Sequence, residues 1–99
     1  MGNQREAFLL RLPALREQRK GLELALQEHA FKVVDTDMVT AESAADHSEA
    51  GAVAVVHAAT NAALAHGIVA ALTRSIALVA AEINWIEGFL AEPKENTHG

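Results

Sequence analysis

Between Val55 and Leu90 the apolar residues return every seven positions. Val55, Ala62, Val69, Ile76, Ile83 and Leu90 hold one phase, and Ala58, Ala65, Leu72, Val79 and Ile86 hold a second, three residues on. These are the a and d positions of a heptad repeat, which draw one apolar stripe along an α-helix and require another helix against it. Taken alone, Ala52-Val53-Ala54-Val55-Val56 would suit a strand, but the heptad runs through it and assigns it to the helix. Leu64, Leu78 and Trp85 add a flanking row, while Thr60, Arg74 and Gly88 fall opposite.

The first third of the chain carries a matching stripe. Phe8, Leu12, Leu15, Leu22, Leu26, His29 and Val33 recur at helical spacing, with Leu9 and Leu24 widening the face. Asn3 followed by Glu6 reads as an N-cap with its capping-box carboxylate. Pro13 implies either a kink or a helix that truly begins near it, and Gly21 costs about 1 kcal/mol relative to alanine. Asp35-Thr36-Asp37 supplies turn chemistry, and Ser43-x-x-Asp46 resembles a second capping box. The expected plan is a single helical domain: helix 1 over about 3–34, an acidic connection over about 35–48, helix 2 from about 40 or 49 to 91, and a tail over 92–99 after the stop at Pro93.

Composition agrees with an all-α chain. Of 99 residues 51% are hydrophobic, and 21 of these are alanines concentrated between 41 and 81. Four aromatics, few turn residues and no cysteine argue against a β-sandwich, a disulfide-stapled domain, a zinc–cysteine site or a thiol nucleophile. With 21% charged residues the chain is not of disordered composition.

Length then forces a choice. A helix from 40 to 91 is about 75 Å long at about 1.5 Å per residue, whereas a compact chain of this size has a radius of gyration of about 13 Å. Either long antiparallel helices form a hairpin that dimerises into a four-helix bundle, or helix 2 breaks at Gly67 and a compact monomeric bundle results. His66-Gly67 has the look of a helix C-terminus. No polar linker follows, and the heptad phase crosses it without slip, so continuity is expected.

The net charge of −5 divides unevenly: +3 over residues 1–20, −6 over 21–49, +1 over 50–81 and −3 over 82–99. An acidic total repels phosphate, so direct nucleic-acid binding is not expected. No secretory leader fits the first 20 residues, and the expected location is the cytoplasm. Residues 50–73 are free of charge and long enough to span a bilayer, but their apolarity is mostly alanine, interrupted by His57, Thr60, Asn61 and His66. A place inside protein is expected instead.

Candidate sites are few. Ala59, Ala63, Gly67, Ala71 and Ser75 form a ridge of small residues at i+4 spacing, suited to a homodimer contact or to a seat beneath helix 1. Asp35, Asp37, Glu42, Asp46 and Glu49 form an acidic segment, with Glu42, Asp46 and Glu49 on one stripe if that stretch is helical. His57 and His66 point to opposite faces of one helix, and His57 is expected to be a hydrogen-bonded, partly buried histidine. Neither expected helix carries the Glu-x-x-His of a di-iron bundle, and no nucleophile–base pair, triad or glycine-rich phosphate loop stands out, so no catalytic, metal or cofactor site is expected. In outline the chain resembles the WXG-type secreted hairpin proteins. Their Trp-x-Gly lies in the turn, whereas Trp85-Ile86-Glu87-Gly88 has another spacing and lies at the far end of helix 2, so nothing is carried over.

The function expected is that of a small, non-catalytic, oligomeric binding or regulatory module acting through protein–protein contact as a homodimer. Two rivals stand beside it: a metal-binding helical bundle, and an acidic decoy or inhibitor of a basic, nucleic-acid-handling partner.

Overall fold

A computed structural model describes residues 2–92. Two helices, α1 (Gly2–Ala45) and α2 (Glu49–Ala91), fold back on each other as an all-α hairpin, a rod of 77 × 21 × 15 Å with a radius of gyration of 22.1 Å. The break at Gly67 is not present: α2 runs through it, and nothing lies within 4 Å of the place a Cβ would occupy. The compact monomeric bundle is therefore overturned in favour of the long hairpin. Pro13 sits on the exposed side of an uninterrupted α1, and Asn3 lies inside the first turn rather than ahead of it. Pro93 and the tail beyond Glu92 fall outside the described residues.

The heptad seam of α2 matches the burial pattern: Ala58, Ala62, Ala65, Val79, Ile83 and Ile86 are buried, with Val55, Val69, Leu72, Ile76 and Leu90 half-buried between and beyond them. On α1 the facing seam steps through Phe8, Leu12, Leu15, Arg19, Leu22, Leu26, His29 and Val33. Leu9 and Leu24, which the spacing alone adds to that face, are exposed.

The acidic connection expected over 35–48 is mostly helix. α1 continues through Asp35-Thr36-Asp37 to Ala45. The seam itself continues at Thr36, Thr40 and Ser43, all half-buried against α2. Thr36 Oγ1 donates to the Val33 carbonyl (3.1 Å) and Thr40 Oγ1 to the Thr36 carbonyl (2.8 Å), so hydroxyls able to break a helix satisfy themselves within it. The turn shrinks to Asp46-His47-Ser48. Ser48 is the N-cap of α2, its Oγ accepting from Gly51 N–H (3.1 Å), while Asp46 Oδ1 accepts from Ser48 N–H (3.0 Å). A Cβ at Gly51 would run into the Asp46 carbonyl, so only glycine lets the chain reverse this tightly.

The core lies toward the open end of the hairpin. Leu12, Leu15, Val79, Ile83 and Ile86 form one cluster, with Phe8, Leu22 and Leu90 packed against it. Phe8 meets Trp85 and Phe89 edge-on, at centroid distances of 5.3 and 5.1 Å. Arg5 Nη2 donates to the Leu90 carbonyl (2.8 Å), capping the last turn of α2 with a cation.

Candidate interaction surface

Every residue of the flanking row precedes a seam residue by one position. His57, Leu64, Ala71, Leu78 and Trp85 stand before one phase of the heptad; Asn61, Ile68, Ser75, Glu82 and Phe89 stand before the other. They therefore share one flank of the hairpin, turned roughly a quarter-circle from the seam. A two-helix structure has nothing to place there. Leu64 is 63% exposed, Leu78 67% and Trp85 59%. Where α1 and α2 meet along this flank, a shallow groove of about 280 Å³ opens, lined by His29, Lys32, Asp35, Asn61, Leu64 and Ile68. A smaller one of about 150 Å³ adjoins it through Asp35, Thr36 and Asn61, reaching Val39 and Ala58. Both fall below the size of pockets that enclose a small molecule.

α1 has a second outward stripe that sequence reasoning missed. Leu10, Leu24, Phe31 and Met38 stand seven or fourteen residues apart, on the side away from α2, and all are exposed. Their spacing was legible; the stronger seam on the other side of the same helix masked it.

The small-residue ridge does not lie beneath α1. Ala59, Ala63, Gly67 and Ala71 are exposed and Ser75 is half-buried. Steps of four drift against a seven-residue seam, so the ridge winds across the outside of α2 and joins the flanking row at Ala71 and Ser75.

The acidic residues do not act as one patch. Because α1 ends at Ala45, Asp46 and Glu49 leave the stripe that Glu42 would begin. Asp46 serves the turn, and the Ser48 backbone N–H, followed by the Ser48 side chain, holds its carboxyl below the usual range. Glu49 occupies the first turn of α2, where the helix dipole favours a negative charge. Asp37 receives His66 Nε2 at 3.1 Å from both carboxylate oxygens. Asp35 lines the groove and Glu42 is exposed. His57, expected partly buried, is exposed in the flanking row.

Two ion pairs tie the open end together. Arg11 and Glu82 each precede a seam residue, and Arg16 and Glu87 each follow one, so the pairs lie on opposite flanks. Arg16 Nη2 reaches Glu87 Oε2 at 2.6 Å. The Arg11 guanidinium lowers the Glu82 carboxyl below its ordinary value, and Glu82 raises Arg11 in return. All four side chains are well solvated, which keeps the pairs weak.

Among the described residues no three ligand-type side chains converge on a point. α2 is long and apolar enough to cross a membrane by length and composition. It is paired along its length with α1, which carries arginine, lysine, aspartate and glutamate throughout. Burying α2 in lipid as this hairpin would carry those charges with it, at a cost of several kcal/mol. Comparison with protein-family models, curated proteins and solved structures finds no match, so the role of this surface follows from its own chemistry.

Proposed function

We propose that this chain is a small, non-catalytic binding module that acts through protein–protein contact, and that it does so as a homodimer forming a four-helix bundle. The observation that supports this most is an inversion of the usual burial. Among the described residues thirteen large apolar side chains are at least 42% exposed, while the buried core holds only Leu12, Leu15, Val79, Ile83 and Ile86 with three alanines. Contiguous apolar surface of that kind on a soluble chain marks a contact site. Two separate faces offer it. The flanking row of α2 suits association between copies, and the outward stripe of α1, with Leu24, Phe31 and Met38 at heptad spacing, suits a groove on another protein.

Size-exclusion chromatography with light scattering at micromolar concentration tests the reading. The expected mass is a multiple of the 10.5 kDa chain. A single chain mass, with the protein folded by circular dichroism, would contradict it.

A further inference from the structure

The flanking row of α2 is close to symmetric about its centre. It reads His57, Leu64, Ala71, Leu78, Trp85, and Ala71 lies at the midpoint of the row and next to the midpoint of α2. One heptad to either side stands an exposed leucine. The groove between the helices lies at the level of Leu64, so it is one heptad from Ala71 on the side opposite Leu78. We infer that a second copy of this chain packs antiparallel across this flank, on a two-fold axis at Ala71, with Leu78 of each copy filling the groove of the other. This rests on the dimeric reading above and specifies its geometry.

Three further observations support the antiparallel arrangement. First, close approach needs small side chains at the centre, and Ala71 and Ser75 supply them, while Trp85 and Phe89 fall at the ends against His57 and Val53 of the second copy. Second, α2 brings little charge to the interface. Between Glu49 and Glu82 its only charged residue is Arg74, exposed one turn from Ala71 and Leu78 at the edge of the flank, and Glu82 is already held by Arg11. Third, the charge along α1 favours the same arrangement. An axis at mid-hairpin sets residues 1–20 (+3) of one copy at the level of the acidic 21–45 (−4) of the other, whereas a parallel pair would set acid level with acid. Full-length overlap of the 43-residue α2 provides a strip about 65 Å long. At a width of about 10 Å, this approaches the area of about 800 Å² per partner that stable interfaces bury.

The chain has no cysteine, so single introduced thiols report geometry cleanly. Variants Ala71→Cys, Leu64→Cys and Leu78→Cys are treated with a short bis-maleimide, alone and mixed. Ala71→Cys is expected to crosslink to itself. Leu64→Cys is expected to crosslink to Leu78→Cys in the mixture, and neither of those to itself. Leu78→Glu, which leaves the hairpin seam untouched, should weaken dimerisation at least about tenfold, whereas Leu10→Glu on the far side of α1 should not. A dimer in which Leu64→Cys links to itself, or in which Leu10→Glu disrupts as strongly as Leu78→Glu, overturns this geometry and leaves the dimeric reading standing. A folded monomer overturns both. Co-sedimentation of that monomer with anionic lipid vesicles would assign the flank to a membrane surface instead.

Discussion

The two ends of this hairpin are held by different means. At the open end Leu12, Leu15, Ile83 and Ile86 interlock, three aromatic rings pack at the edge, and two ion pairs and an arginine cap close the termini. Toward the turn the seam is Thr36, Thr40 and Ser43 against Gly51, Ala58 and Ala62. Small side chains bury less area, so that end relies on hydroxyl–carbonyl bonds, a three-residue turn and close backbone approach. It is also where the flank opens into grooves. The contrast teaches that one heptad repeat can specify helix pairing along the whole rod while concentrating the cohesive energy at one end.

The largest effect should come from emptying the open end. Ile86 is 1% exposed, and Ile86→Ala is expected to lower stability by about 2–5 kcal/mol in urea unfolding, whereas Ala62→Gly at the turn end should cost about 1 kcal/mol. Equal losses at the two ends would erase the distinction. Next comes the turn itself. Gly51→Ala forces a Cβ into the Asp46 carbonyl and should cost about 1–3 kcal/mol. Gly67→Ala is the sharper control: the space there is open within a continuous helix, and the change should stabilise by about 0.5–1 kcal/mol. A loss at Gly67 would mean that α2 bends there after all.

How much of this was legible in the sequence follows the same division. The seam of α2 could be read residue by residue because burial in a paired helix obeys the seven-residue period. The end of helix 1 could not. Asp35-Thr36-Asp37 has the chemistry of a turn, but a seam continuing at Thr36, Thr40 and Ser43 and two hydroxyls bonded back to the helix outweigh that local preference. The turn went unread because its decisive feature, the approach of Gly51 to Asp46, exists only once the chain has reversed. The row through Leu64 and Trp85 was visible as a row, but its exposure depends on how many helices there are to cover it. His57 was misplaced for that reason.

The smallest effect is electrostatic, and it also separates the ends. Asp46 and Glu82 both have carboxyls lowered in the folded state, by Ser48 and by Arg11 respectively. The unfolded chain then binds protons more readily, so their contribution is full above about pH 5 and is lost as the pH falls below the ordinary carboxyl range of about 4. Urea midpoints measured across that range should be flat and then decline. High salt should remove the Glu82 part, which rests on an exposed ion pair, and spare the Asp46 part, which rests on a backbone hydrogen bond. A midpoint that rises on acidification would contradict both assignments.

The central claim is that this hairpin is incomplete alone, and the dependence of its thermal midpoint on protein concentration tests that most directly. Melts from about 1 to about 100 µM should show a midpoint that climbs steadily with concentration, as association stabilises the folded state by mass action. A midpoint constant over that range, at the mass of one chain, would contradict the account.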